Sequence, residues 1–341
     1  MLISLRNAVR WVEHHGYWNP WDLDSSWFDS YLRNRRIDRL HRALIRLFRA
    51  SEPTPQRLAA ISIADQDYQL SSHNPPNLDI IVVAHPKDFI TLPATISSVI
   101  LNSTNPIRKC LIYVPEFALA EARKLSNEIS KIYKRDIDVV SEKTLVTEET
   151  MRIIRDTYRE RSGWLLQQIL KLEAVLKGDQ TPKLIIDADT AIVSRQLFLD
   201  YEGRQLLHVS SECQASYYSF LSELADLPTP FNSHVSHHMV MQRDILNQIM
   251  IYLGIASTHD LVKRALDYCG TDPTLTVSLD YEFYGQFARA LAPDRIRLSR
   301  LCNLAVRDLP PTRKTLDKLL TTTSRNYKSV SFHAYLREAG S

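Results

Sequence analysis

The stretch LDIIVVAHP at residues 78–86 carries a continuous apolar run. A strand with one wet face alternates apolar and polar side chains, so such a run predicts a strand buried on both faces, as in a parallel sheet covered by helices. The rhythm then repeats. KDFITLPATISSVILNS (87–103) reads as a helix, RKCLIYVP (108–115) as a second strand, FALAEARKLSNEISKIY (117–133) as an amphipathic helix and DIDVVSE (136–142) as a third strand. RSGWLLQQILKLEAVLKG (161–178) is a further helix, ended by Gly178, and it feeds the strand KLIIDADTAIV (183–193). This βαβαβ order predicts an α/β fold with a mostly parallel sheet flanked by helices.

Ahead of this unit, residues 1–70 read as helical. They hold Trp11, Trp18, Trp21 and Trp27 early and an arginine cluster at 33, 35, 36, 39, 42, 46 and 49, with Ile37, Leu40, Leu44 and Leu47 at helical spacing. LSSHNPPNLD (70–79) has turn chemistry and marks a boundary. The expectation is a helical N-terminal extension over 1–75 and an α/β domain over 76–341.

Several function classes drop out. The net charge of +3 is too mild to argue for nucleic acid as a partner. Cys110, Cys213, Cys269 and Cys302 are scattered with no CxxC pair, which argues against a zinc site or a disulfide framework and fits a reducing compartment. No stretch reaches the roughly 18 apolar residues of a spanning helix, and the N-terminus lacks the long apolar core of a signal peptide. The expected location is the cytoplasm. The 8 glycines are never spaced as GxGxxG, GxxxxGK[ST] or GxSxG. Any phosphate bound here must be held by side chains or a metal rather than by a glycine cradle.

The strand at 183–193 delivers Asp187 and Asp189 where ligands bind in open α/β sheets, beyond the carboxyl end of a strand. Three readings compete. The two aspartates end a strand and cap a turn. Or the pattern DxDxT resembles the first motif of haloacid-dehalogenase-like phosphatases, whose first aspartate is a nucleophile. That family opens with this strand and needs a later acidic pair, whereas here at least three strands precede it and no DD or GDxxxD follows. Or the pair holds a divalent ion that grips a nucleotide diphosphate, which needs no glycine loop.

Four further segments occur in order: SGWLLQQILKL (162–172), SHVSHHMVM (233–241), SLDYEFYGQF (278–287) and SVSFHAYL (329–336). With the DxD they resemble a DUF6492-like family of bacterial GT-A-fold glycosyltransferase-like proteins of polysaccharide biosynthesis, over roughly residues 77–337. The resemblance implies a GT-A-like, Rossmann-like fold and Mn²⁺ or Mg²⁺ held by Asp187 and Asp189. It also implies a nucleotide-sugar donor and a glycan or lipid-linked acceptor. A histidine near the C-terminus completes the metal shell in many such enzymes, which points to His333; the alternative is a partly buried structural histidine.

Other residues join the candidate site. Trp164 and Gln168 share a helix face with Gln167 beside them, suited to binding sugar hydroxyls or to organising a loop. His237 and His238 face opposite ways if extended, so at most one of them faces the site, and His238 is narrowly favoured. Asp280 and Glu282 supply a carboxylate to deprotonate an acceptor hydroxyl, with Glu282 placed ahead of Asp280. Alternatively they are the acidic first turn of a helix capped by Ser278. The N-terminal tryptophans and arginines suit either peripheral contact with the inner face of a membrane or an ordinary helical cap. A catalytically inert glycan-binding or assembly protein is the reading from a different class.

Overall fold

A computed structural model describes residues 74–210, 214–225, 233–270, 275–301, 303–306, 313–323 and 327–332. The extension expected over 1–75 lies outside these residues in all but its last two positions, as does His333.

The chain begins with β1 (Leu78–Val83), α1 (Leu92–Asn102), β2 (Ile107–Val114), α2 (Leu119–Tyr133) and β3 (Ile137–Ser141). Next come α3 (Glu148–Tyr158), α4 (Ser162–Lys177), β4 (Lys183–Asp187), β5 (Thr190–Ile192), β6 (Gln205–Val209) and α5 (Ala215–Leu224). The described residues end with β7 (His238–Met241), α6 (Arg243–Tyr252), α7 (Thr258–Cys269), α8 (Tyr281–Leu291), β8 (Ile296–Arg300), β9 (Asn303–Val306), α9 (Arg313–Thr323) and β10 (Ser329–Phe332).

The main sheet has the order β3-β2-β1-β4-β7, with β7 alone antiparallel to its neighbour. This is the α/β architecture that the run of apolar strands predicts. All six residues of β1 are buried, because both faces are covered. Ile81, Val83, Ile185, Met239 and Met241 form one core with α4, α6, α7 and α8. Ile80, Val82, Leu184, Ile186 and Val240 form the other with α1 and α2.

The order also locates the site. From β1 the chain steps outward through β2 to β3, then returns to place β4 on the other side of β1. The connections after β1 and β4 therefore leave in opposite directions, and a crevice opens between the carboxyl ends of these two strands.

Two expected elements are subdivided. The helix read over 87–103 starts only at Leu92, with Pro93 in its first turn, where a missing N–H costs nothing. A short 3-10 turn at Pro86–Asp88 precedes it and holds Asp88 at the crevice. The strand read over 183–193 breaks at Ala188 and Asp189, and β5 continues into a second sheet of order β5-β10-β9. The helix α3 was not apparent from the apolar pattern. Its N-cap Thr147 accepts from the Thr150 amide at 3.2 Å, with Glu148 and Glu149 in the first turn.

The two ends of β4 differ in charge. At its amino end Lys183, 1% exposed, bridges Asp79 and Asp179 at 2.7 Å each, and Arg108 reaches the same two carboxylates at 2.6 Å. Two cations balance two anions there. At the carboxyl end the balance fails.

Candidate active site

Asp187 is the last residue of β4 and shares its face with Ile185, so its side chain points towards α4. Lys171 rises from α4 beneath it and donates from Nζ to Asp187 Oδ1 at 2.5 Å and to Asp280 Oδ2 at 2.7 Å. Asp280 is the N-cap residue of α8. The Tyr281 hydroxyl donates to Asp187 Oδ1 at 2.8 Å, and His237 Nδ1 lies 3.3 Å from Oδ2. Burial by itself would raise the Asp187 carboxyl, but Lys171 and His237 hold it well below the usual carboxylate range.

The turn after β4 is fixed from three directions. Thr91 and Thr95 at the start of α1 both donate from Oγ1 to the Ala188 carbonyl, at 3.0 and 2.9 Å. The Asp187 amide donates to the His237 carbonyl at 2.9 Å, and the Phe332 amide donates to the Asp189 carbonyl at 3.0 Å. Thr190 and Ser331 join through their hydroxyls at 2.9 Å. Asp189 itself is half-buried. Burial, then the Asp187 charge, and behind these Asp88, push its carboxyl strongly upward. Asp88 is raised too, chiefly by burial.

Among the described residues, Asp187 and Asp280 share the buried ammonium of Lys171, Asp189 feels that charge and His237 from farther off, and Asp88 has Lys87 beside it. An array of hard oxygen donors short of positive charge fits Mg²⁺ or Mn²⁺. Among the same residues no three His, Cys, Asp or Glu side chains form a complete cage.

The other sequence-derived candidates separate. His238 does not face the carboxylates. It pairs with Ile186 across the antiparallel β4–β7 ladder, which puts its ring on the opposite face of the sheet, with its centroid 5.9 Å from that of Phe198 and 4.8 Å from that of His208. His237 takes the position beside Asp187 instead, with a backbone φ of 59°, left-handed and unusual outside glycine. Alternation along an extended strand does not foresee that conformation.

Glu282 corrects the expectation of a general base. It is 0% exposed, and its carboxylate accepts from Ser233 Oγ (2.7 Å), the His234 amide (2.9 Å) and Gln286 Nε2 (2.7 Å). A carboxylate so enclosed has no path to an acceptor hydroxyl; it ties α8 to the loop before β7. Asp280, placed second from sequence, is the one joined to the site. Ser278 does not cap α8, although its Oγ accepts from the Glu282 amide at 3.4 Å.

Gln168 accepts from the Leu279 amide at 2.5 Å through Oε1 and donates to the Val277 carbonyl at 3.4 Å. Its amide holds the segment that presents Asp280 rather than standing open to a sugar. Gln167 is half-buried, and Trp164 stacks on Tyr217 with ring centroids 6.5 Å apart, two turns of α4 before Lys171.

These features define an α/β protein with a carboxylate-rich crevice at the point where its strand order reverses. A family model described as a family of unknown function, DUF6492, matches residues 96–255, just under half of the chain. A comparison with curated proteins found no match. Among solved structures, mouse xyloside xylosyltransferase 1 in its apo form is similar over 76% of this chain and 99% of that one, at 10% identity and a TM-score of 0.43. The galactosyltransferase LgtC in complex with donor and acceptor sugar analogues is similar over 74% and 86%, at 10% identity and a TM-score of 0.41. A PaToxG glycosyltransferase is similar over 79% and 86%, at 13% identity and a TM-score of 0.36.

Proposed function

We propose that this chain is a metal-dependent glycosyltransferase of GT-A type, which moves a sugar from a nucleotide-sugar donor to a growing glycan or lipid-linked acceptor in polysaccharide biosynthesis. The observation that carries this reading is Asp187 and Asp189 on a fixed turn at the β1–β4 switch point, in a crevice where carboxylates outnumber cations. A nucleoside diphosphate with a divalent ion supplies both the phosphates and the positive charge that the crevice lacks.

Asp187 Oδ2 and Asp189 would hold Mn²⁺ or Mg²⁺, and that ion, when bound, neutralises the charge on a departing diphosphate. The chain's own residues set the geometry. Thr91 and Thr95 fix the turn peptide, Tyr281 and Lys171 fix Asp187, and Gln168 with Lys171 fixes Asp280. Asp280 is the carboxylate at the site besides the DxD pair and Asp88, so it replaces Glu282 as the acid most closely coupled to the chemistry. A phosphatase reading fits less well, because that family opens with the aspartate-bearing strand, whereas β1, β2 and β3 precede β4 here. A cytoplasmic site at the inner face of a membrane suits a lipid-linked acceptor. Among the described residues no helix is long and apolar enough to cross one.

The test is a thermal-shift screen of UDP, GDP and CMP and their sugars with and without Mn²⁺. A ligand at about 100 times its Kd adds roughly 2.7 kcal/mol of stability. Stabilisation that requires both nucleotide and metal supports the proposal, followed by transfer from the matching nucleotide sugar. Indifference to every nucleotide, with or without metal, refutes it, and a trapped aspartyl-phosphate at Asp187 favours the phosphatase.

A further inference from the structure

Lys171 is 3% exposed, and its ammonium is enclosed by protein. It lies 2.5 Å from Asp187, 2.7 Å from Asp280 and 4.4 Å from the centroid of the Tyr281 ring, so its partners are two anions and an aromatic face. The helix leaves it little freedom, since Leu170 and Leu172 on either side are buried in the core.

The two oxygens of Asp187 are therefore unequal. Oδ1 receives both Lys171 and Tyr281, whereas Oδ2 has the 3.3 Å approach of His237. Two divalent ions that share one carboxylate sit about 3.5–4 Å apart in two-metal sites. Asp187 has the position for such a pair: one ion on the Oδ2 side with Asp189, the other between Oδ1 and Asp280. The second position is where the ammonium stands.

We propose that Lys171 is a built-in monocation that occupies the second cation position around Asp187 and confines a divalent ion to the side of Asp189. It is a positioning residue, acting through Asp187 and Asp280 rather than on a substrate. The proposal rests on the reading of Asp187 and Asp189 as metal ligands, and it makes this a one-metal site by construction. Without the lysine, two carboxylates face each other across a buried gap, an arrangement that is strongly destabilising unless a cation fills it.

The experiment uses the full chain and Mn²⁺ alone as probe, with uptake followed by electron paramagnetic resonance and stability by thermal melting. The wild type should take up one Mn²⁺. Lys171→Met should take up one more than the wild type, melt lower without metal, and regain more stability from Mn²⁺ than the wild type does. A lysine that only supports packing predicts equal uptake in both proteins and a loss that Mn²⁺ does not repair; that result overturns the proposal. If the wild type binds no Mn²⁺ while Lys171→Met binds one and is rescued by it, the role of Lys171 stands and the assignment of Asp189 to a metal fails. If Lys171→Met does not fold even with Mn²⁺, the double variant Lys171→Met/Asp280→Asn removes one of the opposed carboxylates. That protein should bind Mn²⁺ at least tenfold more weakly than the wild type, because Asp187 is no longer fixed; wild-type affinity there overturns the proposal.

Discussion

Three buried histidines, two on strands β6 and β7 and one in the loop before β7, make this protein's acid stability depend on named side chains. His208, His234 and His238 are 4%, 0% and 0% exposed. Among the described residues both ring nitrogens of His208 lack a hydrogen-bond partner, His238 has the Ser236 backbone near it, and His234 Nδ1 is bonded to the His208 carbonyl at 2.8 Å. Burial depresses all three: His208 to about 3, His234 to about 4 and His238 well below its ordinary value of 6.5. Each is neutral when folded and charges on unfolding below pH 6.5. The unfolded state then binds the extra protons, so stability is complete above pH 6.5 and is lost as pH falls towards the folded values. Asp189 and Glu282, whose carboxyls are raised, take up protons in the folded state and work in the opposite direction.

A comparison with His208→Phe cancels those opposing groups. Above pH 7 the two proteins differ by a constant set by packing. Below pH 6.5 the wild type should fall behind the variant by about 1.4 kcal/mol per pH unit, reaching roughly 2 kcal/mol at pH 5. That is a large share of a typical stability of about 5–15 kcal/mol. Urea unfolding at pH 7.5, 6.5, 5.5 and 5.0 measures the difference directly. Parallel stability curves for the two proteins would show that His208 finds a proton-accepting partner in the folded state, and would refute the reasoning.

Other outcomes follow from the site. Asp189→Asn should raise the melting temperature of the metal-free protein, by relieving repulsion from Asp187 and Asp88, and should abolish Mn²⁺-dependent nucleotide stabilisation; the same shift assay reads both. Glu282→Gln replaces a carboxylate that accepts from Ser233, His234, Gln286 and Tyr218 with an amide that must turn a donor towards one of them, costing about 1–3 kcal/mol by denaturant titration. A loss of turnover at unchanged stability would instead restore its catalytic role. At Gly285 an added Cβ would meet His234 Cβ at 2.6 Å, so Gly285→Ala should cost about 1–3 kcal/mol and, by moving the segment that leads to His237, weaken nucleotide binding. His333→Ala should lower Mn²⁺ affinity in the resonance titration, with excess Mn²⁺ restoring part of the nucleotide-dependent stabilisation.

The sheet was legible because its cause is local. Apolar runs such as 80–84 and 184–186 alternate with amphipathic helices, and only a parallel sheet covered on both faces buries such runs. The strand-end location of Asp187 followed from the same pattern. The partners of Asp187 did not, because they are set by tertiary contact. Lys171 is 16 residues away in a helix whose other residues read as plain core, and Tyr281 is 94 residues away. A lysine amid Leu170, Leu172 and Val175 was the available signal: a charge at a core position needs a buried counter-ion. The choice between His237 and His238 turned on one left-handed backbone angle, which the residue type does not announce. The choice between Glu282 and Asp280 turned on which side of the first turn of α8 meets the loop at 233–234.

The turn that carries the two aspartates is held on one side by β10, through the Phe332 amide and the Ser331 hydroxyl, the latter 141 residues beyond Thr190. On a ribosome adding about 5–20 residues per second, that interval lasts on the order of 10–30 seconds. During it the turn has at first only the Thr91 and Thr95 brace, then also the His237 carbonyl once β7 has followed, and the third brace comes last. A nascent chain therefore presents its two aspartates before it can hold them in register, and the turn is completed late, by one short strand.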